Sequence, residues 1–265
     1  MSRRPIAMFD SGFGGLTVAR AVIDLLPGED VVYFGDTGRY PYGTKTPEEV
    51  RSYSLQIAEL LRDRHDMKML VVACNTAAAV ALDDLRHLLD VPVIGVIEPG
   101  MRACAAVTNT GSVGVIGTVG TVASGAYERS AAVWAPDTDL TVAACPGFVE
   151  FVERGELDSP QMHVLAERLL APVREAKVDT LLLGCTHYPY LARTISDVMG
   201  RDVVLVSSAD ETAFEIRELL GGGDVADAPG RHTFISSGDA NTFERLGRQL
   251  FGEELIGAEQ HRWSS

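Results

Sequence analysis

The chain has 265 residues, enough for one large α/β domain or for two smaller domains that share a core. Its formal net charge of −14 argues against nucleic-acid binding, because affinity for phosphate depends on clustered Lys and Arg. The N-terminal MSRRPIAMFD lacks the long apolar core of a signal peptide, and we expect a cytoplasmic protein without membrane contact. The four cysteines show no C-x-x-C or metal-ligand spacing, which predicts free thiols and no metal site.

The first part of the chain alternates apolar runs with stretches of helical period. This alternation is typical of a mostly parallel sheet covered by helices. The predicted strands and helices are, in order, IAMFDS, GLTVARAVIDLL, VVYFGD, PEEVRSYSLQIAELLRD, MLVVACN, AAAVALDDLRHLL, PVIGVIE and GMRACAAVT.

The second part of the chain repeats this order of elements. Its predicted strands and helices are VGVIGT, GAYERSAAVWA, LTVAACP, SPQMHVLAERLLAPVREA, TLLLGCT, YLARTISDVM, VVLVSS and ETAFEIRELL. FISSGD and TFERLGRQLF then predict a further strand and helix.

Matching positions in the first and second parts of the chain lie at a nearly constant offset. Three pairs that follow matching strands are 107, 109 and 111 positions apart: Ser11 and Thr118, Asp36 and Cys145, and Cys74 and Cys185. The pattern indicates a duplicated unit. We therefore predict an α/β fold of two pseudo-symmetric domains with mostly parallel sheets, and an active site in the cleft between them.

Cys74 and Cys185 both stand at the predicted carboxyl end of a strand, where sites form in open α/β sheets. Two thiols facing each other across one cleft suit inversion at a carbon that carries a removable proton. One thiolate removes the proton and the other thiol delivers one to the opposite face. A helix N-terminus directly after each cysteine would favour the thiolate, and Asp10 and His187 are further candidates to lower the thiol pKa.

Short polar side chains surround both cysteines near the predicted strand ends. Together with backbone N–H groups they can hold a carboxylate and the enediolate that develops from it. These residues are Ser11, Asn75, Thr76, Thr118 and Thr186.

Four segments resemble the glutamate racemase family, and the resemblance covers nearly the whole chain. They are DSGFGGLTV at 10–18, GDTGRYPYG at 35–43, ACNTA at 73–77 and GCTHYP at 184–189. The resemblance implies a cofactor-independent enzyme that interconverts L- and D-glutamate for peptidoglycan synthesis. It also implies that a second domain, 98–206, is inserted into a first domain formed by 1–97 and 207–265.

The resemblance assigns roles to individual residues. Cys74 and Cys185 would accept and donate the proton, assisted by Asp10, His187 and Glu153. Gly147 and Glu150 depart from the residues that relatives often carry there, so the choice between Glu153 and Glu150 stays open. The predicted substrate-binding residues are Asp10, Ser11, Tyr42, Gly43, Asn75, Thr76, Thr118, Thr186 and His187.

Other functions compete with this interpretation. An aspartate or hydantoin racemase would have a similar architecture. A pyridoxal phosphate racemase would need a Schiff-base lysine, but Lys45, Lys68 and Lys177 stand in no convincing motif. A small-ligand binding module could also use a duplicated, hinged cleft, although such a module has no need for a thiol at both equivalent positions.

The resemblance also bears on assembly. It implies a homodimer and raises the possibility of contact with DNA gyrase, which the sequence itself does not test. Because the chain begins almost directly on its first predicted strand, we expect it to lack the N-terminal extension that some relatives use for activation by a cell-wall precursor. The remaining two cysteines, Cys104 and Cys145, are predicted to be core residues.

Overall fold

The computed structural model describes residues 4–222, 228–252, 255 and 257–263. The strands within these ranges are Ile6–Asp10 (β1), Val31–Gly35 (β2), Met69–Val72 (β3), Val93–Gly95 (β4), Ser112–Gly117 (β5), Asp139–Ala144 (β6), Thr180–Gly184 (β7), Val204–Ser207 (β8), His232–Ser236 (β9) and Glu259–Gln260 (β10).

Helices follow most of the strands. They are Leu16–Leu25 (α1), Pro47–His65 (α2), Asn75–Leu88 (α3), Ile97–Val107 (α4), Val119–Ala123 (α5), Ala126–Trp134 (α6), Phe148–Glu153 (α7), Pro160–Leu169 (α8), Ala171–Glu175 (α9), Ala192–Met199 (α10), Ser208–Leu219 (α11) and Ala240–Phe251 (α12). Two short 3₁₀ turns span Tyr42–Thr44 and Tyr188–Leu191.

The strands form two parallel sheets with matching order. The first sheet runs β10-β9-β2-β1-β3-β4 and the second runs β6-β5-β7-β8. Strands β1 to β4 therefore take the same relative places as β5 to β8, as the duplicated pattern predicted. The predicted fold class, two mostly parallel α/β units of related order, is confirmed.

The central strands of both sheets are buried, and helices pack against them. Every residue of β1, β2 and β7 is buried, and their sequences are nearly continuous apolar runs. α11 packs against α1 and α4, which joins the chain after the second sheet to the chain around the first. Among the residues that the structure describes, none of the helices combines the length and apolar character needed to cross a bilayer.

The domain boundaries, 1–97 with 207–265 against 98–206, stay a prediction. The first sheet takes strands from before and after the second sheet, in keeping with an inserted second unit. β8 ends at Ser207 and α4 begins at Ile97, so both elements extend one residue beyond the predicted limits of the insert.

One predicted strand was too long. PVIGVIE at 92–98 forms a strand only over Val93–Gly95, and α4 begins at Ile97. Pro99 does not prevent this, because it lies in the first turn of α4, where the backbone N–H has no helical partner in any case.

The two cysteine motifs lead into different structures. Cys74 is the N-terminal cap residue of α3, as predicted. Cys185 is instead followed by the 3₁₀ turn Tyr188–Leu191, and α10 begins only at Ala192. The expectation of a helix start directly after each cysteine was therefore right for Cys74 and wrong for Cys185.

Candidate active site

A narrow cavity of about 70 Å³ lies where the carboxyl ends of the two sheets meet. Its volume suits a small molecule, since one water occupies roughly 10–15 Å³ of such space. Loops from both halves of the chain line it. The predicted site residues among its lining are Ser11, Tyr42, Gly43, Cys74, Asn75, Thr76, Thr118, Cys185, Thr186 and His187.

Cys74 is a buried thiol close to a carboxylate. Its Sγ lies 3.8 Å from Ser11 Oγ, to which it can donate. Burial and then the charge of Asp10 raise the pKa of Cys74 to about 12, although the backbone N–H groups of Ala77 and Ser11 oppose this. Asp10 thus acts on Cys74 in the opposite direction to the one expected from the sequence, because like charges disfavour ionisation.

Cys185 is paired with a histidine. Its Sγ lies 3.9 Å from His187 Nδ1, and His187 Nε2 lies 3.5 Å from Glu153 Oε1. Burial lowers the pKa of His187, but hydrogen bonding to Cys185 and Glu153 and the charges of Cys185 and Asp10 outweigh it and raise this pKa to about 10. His187 is therefore an imidazolium at neutral pH.

Asp10 joins the two halves from behind the cavity. It is fully buried at the end of β1 and accepts from the Gly12 N–H at 2.7 Å and from Thr186 Oγ1 at 3.2 Å. Burial raises the pKa of Asp10, against the lowering effect of the His187 charge and these hydrogen bonds.

Gly14 explains part of the glycine-rich DSGFGG segment. A Cβ at this position would lie 2.3 Å from Thr186 Oγ1 and 2.5 Å from His187 Nδ1. Only glycine lets the turn after β1 approach the loop after β7 this closely. The segment therefore serves contact between the two halves of the site.

A cluster of threonine hydroxyls connects the other side of the cavity. Thr76 Oγ1 lies 3.1 Å from both Thr118 Oγ1 and Thr121 Oγ1, and the last two lie 2.9 Å apart. The sequence interpretation did not include Thr121. Its position three residues after Thr118, with Thr118 as the N-terminal cap of α5, was the available signal.

Asn75 lines the cavity and carries a buried acceptor without a partner. Its Nδ2 donates to the Tyr127 hydroxyl at 2.8 Å, whereas its Oδ1 is buried without a hydrogen-bond partner. Tyr127 lies in α6 of the other half and carries no sequence motif, so its part in orienting Asn75 could not be predicted.

Tyr42 lines the cavity, but its hydroxyl is bonded elsewhere. It donates to Asp36, a fully buried residue just after β2. Asp36 also accepts from Arg39 Nε at 2.8 Å, Ser237 Oγ at 2.6 Å and Trp263 Nε1 at 3.0 Å. These five residues, the Asp36 cluster, anchor the loop that carries Tyr42. The sequence interpretation missed the cluster because Ser237 and Trp263 lie 201 and 227 positions from Asp36.

The two candidate acidic residues of α7 differ in position. Glu153 contacts His187 and its side chain is 26% exposed. Glu150 is exposed and belongs to the cavity lining. The geometry therefore favours Glu153 as the partner of His187.

The remaining cysteines and the lysines lie mostly apart from this chemistry. Cys104 is buried in α4, and Cys145 is buried but also belongs to the cavity lining. Lys45 lies over the Tyr53 ring and Lys68 pairs with Glu29, and neither these two nor Lys177 belongs to the lining. Within the described ranges, no group of three or more His, Cys, Asp or Glu side chains is arranged to hold a metal ion.

Comparison with known proteins defines the class first. The model of the Asp/Glu/Hydantoin racemase family matches residues 16–215, and the chain belongs to this family. The glutamate racemase of Geobacter metallireducens is 49% identical over 259 residues, which cover 96% of this chain and 95% of that protein.

Solved structures of glutamate racemases are similar to this chain over nearly its whole length. The glutamate racemase isoform RacE1 of Bacillus anthracis is 40% identical with a TM-score of 0.90, over 98% of this chain and 97% of that one. The Francisella tularensis glutamate racemase, solved in complex with D-glutamate, is 30% identical with a TM-score of 0.90, over 98% of both chains.

The charge of His187 can be measured directly. We expect its ring to remain an imidazolium from pH 7 to pH 9 and to lose its proton near pH 10, because Cys185, Glu153 and Asp10 stabilise the cation. Ring ¹⁵N chemical shifts followed by NMR, with the signal assigned by its loss in His187→Gln, give this pKa. A titration near the ordinary value of about 6.5 would contradict the prediction.

The same shift predicts how stability depends on pH. A folded pKa above the unfolded value means that the contribution of His187 is complete below about pH 6.5. It is lost as the pH rises toward 10. Urea unfolding at pH 6, 8 and 10 should therefore show the stability difference between the parent and His187→Gln shrinking with pH.

Asp36→Asn tests the Asp36 cluster. Asparagine removes the charge that accepts four hydrogen bonds, and we expect the free energy of unfolding to fall by about 2–3 kcal/mol. Asp63→Asn is the matched control, because Asp63 is exposed and pairs with its neighbour Arg62. Its effect should stay within about 0.5 kcal/mol. Equal stability of the two variants in urea unfolding would exclude an anchoring role for Asp36.

Proposed function

We propose that this chain interconverts L- and D-glutamate without a cofactor, by proton transfer between the substrate and two cysteine thiols. The observation that carries the proposal is that Cys74 and Cys185, which follow the equivalent strands β3 and β7, both line one cavity. Family membership and full-length similarity to glutamate racemases support glutamate as the substrate.

The proposed reaction uses one thiol on each side of the α-carbon. One cysteine, as its thiolate, removes the α-proton, and the other, as its thiol, gives a proton to the opposite face. The protein ends the turnover with the two protonation states exchanged. The reverse reaction then starts from the form in which the forward reaction ended.

The two cysteines reach these states by different means. Each pKa unit above the ambient pH costs about 1.4 kcal/mol of ionisation, so Cys74 is a neutral thiol in the free protein. The ammonium group of a bound amino acid near Cys74 would offset the charge of Asp10 and ease its ionisation. His187 gives Cys185 a cationic partner 3.9 Å away.

The lining supplies partners for the rest of the substrate. Asn75 Oδ1, a buried acceptor without a partner, suits the ammonium group. The hydroxyls of Ser11 and Thr76 suit carboxylate oxygens, and Thr186, whose hydroxyl donates to Asp10, lines the same cavity. Hydrogen bonds to a developing enediolate lower the barrier to proton removal.

The proposed product serves peptidoglycan synthesis, the role of this family, in the cytoplasm. A homodimer and contact with DNA gyrase follow from the resemblance alone and stay predictions. Sedimentation of the purified protein would test the first, and co-sedimentation with gyrase the second.

Racemisation is tested by circular dichroism of a D-glutamate solution with purified protein and no added cofactor. We expect the circular dichroism signal to decay to zero. The enantiomers have equal free energy, so the equilibrium mixture is racemic and has no circular dichroism. Parallel traces with D-aspartate and a hydantoin test the specificity. A flat D-glutamate trace would overturn the proposal, and faster decay with either of the other substrates would reassign it.

The two-thiol mechanism predicts that Cys74→Ser and Cys185→Ser each lower kcat by at least about 10³-fold, because a serine hydroxyl is a far weaker acid than a thiol at this task. Cys104→Ala, which removes a buried thiol in α4, should retain most of the turnover. Thermal unfolding of each variant checks that it is folded. Near-normal racemisation by either serine variant would rule out the two-thiol mechanism.

A further inference from the structure

We propose that Tyr40 is a positioning residue that holds the Glu153 carboxylate against His187 and thereby keeps His187 in place beside Cys185. The inference rests on the proposed function, because the task exists only if Cys185 exchanges a proton with the substrate. It adds a residue to which neither the sequence patterns nor the family resemblance assigned a role.

Tyr40 lies in the wall of the same cavity as the two thiols. Its ring centroid is 6.2 Å from that of His187, with 37° between the planes. The ring also contacts Gly12, where an added Cβ would lie 3.0 Å from Tyr40 Cδ2. The side chain therefore bridges the turn after β1 and the loop after β7.

The backbone on both sides of Tyr40 is fixed. Arg39 Nε and the Tyr42 hydroxyl both donate to the same Asp36 carboxylate oxygen. The Arg39 guanidinium also lies over the rings of Trp263, at 3.9 Å, and Tyr53, at 4.2 Å. Tyr40 therefore lies between two residues whose side chains are anchored to Asp36.

Three buried polar atoms at this place have complementary chemistry. Tyr40 Oη, Glu153 Oε1 and His187 Nε2 are all buried and make no hydrogen bond that meets normal geometry. The carboxylate oxygen lies 3.5 Å from the ring nitrogen. A phenol and an imidazolium are donors, and a carboxylate can accept from both.

Tyr40 is suited to donate and not to act as a base. Burial, and then the nearby charge of Glu153, raise the pKa of Tyr40 far above its usual value, and the charges of Cys185 and Asp10 add to this. The hydroxyl therefore keeps its proton over the whole working pH range. It can orient Glu153 but cannot take up the proton of the substrate.

The buried Oε1 of Glu153 has no hydrogen-bond partner that would fix its direction. Glu153 ends α7, a helix of six residues, and its side chain is 26% exposed. The adjacent Arg154 pairs with Glu156 at 2.7 Å. A hydroxyl fixed in the cavity wall gives the carboxylate a defined direction toward His187.

Three negative or ionisable groups act on His187 from different elements: Asp10 at the end of β1, Cys185 after β7 and Glu153 from α7. Loss of the Glu153 contact alone therefore lowers the pKa of His187 without returning it to its ordinary value. This pKa reports directly on the position of Glu153, and it can be measured without turnover.

The test is a double-mutant cycle on Tyr40→Phe and Glu153→Gln, with His187 followed by ring ¹⁵N NMR. Phenylalanine keeps the ring contact and removes only the hydroxyl. We expect Tyr40→Phe to lower the pKa of His187 from about 10 by about one unit and to lower kcat/KM by about 5- to 10-fold. In the Glu153→Gln background, Tyr40→Phe should change kcat/KM by no more than about twofold and the His187 pKa by no more than about 0.3 units.

Tyr53→Phe is the matched control, since Tyr53 packs against the same loop through its ring and should behave like the parent. Because the two enantiomers have equal free energy, kcat/KM must be equal in both directions for every variant, which checks each data set internally. An unchanged His187 pKa in Tyr40→Phe, or an equal loss in both backgrounds, would show that Tyr40 only packs and would overturn the inference.

Failure of the proposed function is distinguishable from failure of this inference. If the parent protein does not racemise glutamate, the function fails whatever the NMR shows. If the parent racemises glutamate but Glu153→Gln leaves both kcat/KM and the His187 pKa unchanged, the function stands. The positioning role of Tyr40 is then refuted, because there is no contact for it to hold.

Discussion

The site depends on one buried positive charge, that of His187. The ring is 3% exposed, and burial of a cation is costly unless charged or polar partners surround it. Cys185, Glu153 and Asp10 supply those partners from three separate elements. The meeting of the two sheets at their carboxyl ends brings them together, and the close approach at Gly14 is the steric condition for it.

This charge makes the two halves unequal although their strand orders match. Cys74 caps a helix of fourteen residues but lies near Asp10, and its proton is held tightly. Cys185 has no such helix and lies beside a cation instead. Duplication therefore supplied two equivalent places for a thiol, and the side chains around them differ: a carboxylate lies near Cys74 and an imidazolium beside Cys185. A two-base reaction needs one proton donor and one acceptor at a time, and such asymmetry suits it.

The rest of the site is a set of links between the halves. On one side of the cavity, hydrogen bonds connect the hydroxyls of Thr76, Thr118 and Thr121. On the other side, the Thr186 hydroxyl donates to Asp10. The loop that carries Tyr42 is anchored from behind by the Asp36 cluster, whose member Trp263 comes from the far end of the chain. These contacts surround the cavity of about 70 Å³ that both cysteines line.

The sequence by itself determined the fold class, the duplication, and both cysteines with their short polar neighbours. The hydrophobic periodicity of each element is a local signal, and the offset between matching motifs can be read directly along the chain. A residue at the end of a predicted strand therefore has a predictable place at the edge of the sheet. The sequence-based prediction was wrong at the start of α4, where Pro99 fits the first turn of the helix. It was also wrong about Asp10, which raises the pKa of Cys74 instead of lowering it. Only the tertiary structure decided that Glu153 rather than Glu150 meets His187, that Tyr42 bonds to Asp36, and that Trp263, Thr121 and Tyr127 support the site. The physical reason is that charge interactions and hydrogen bonds depend on distances across the fold, which no spacing along the chain records.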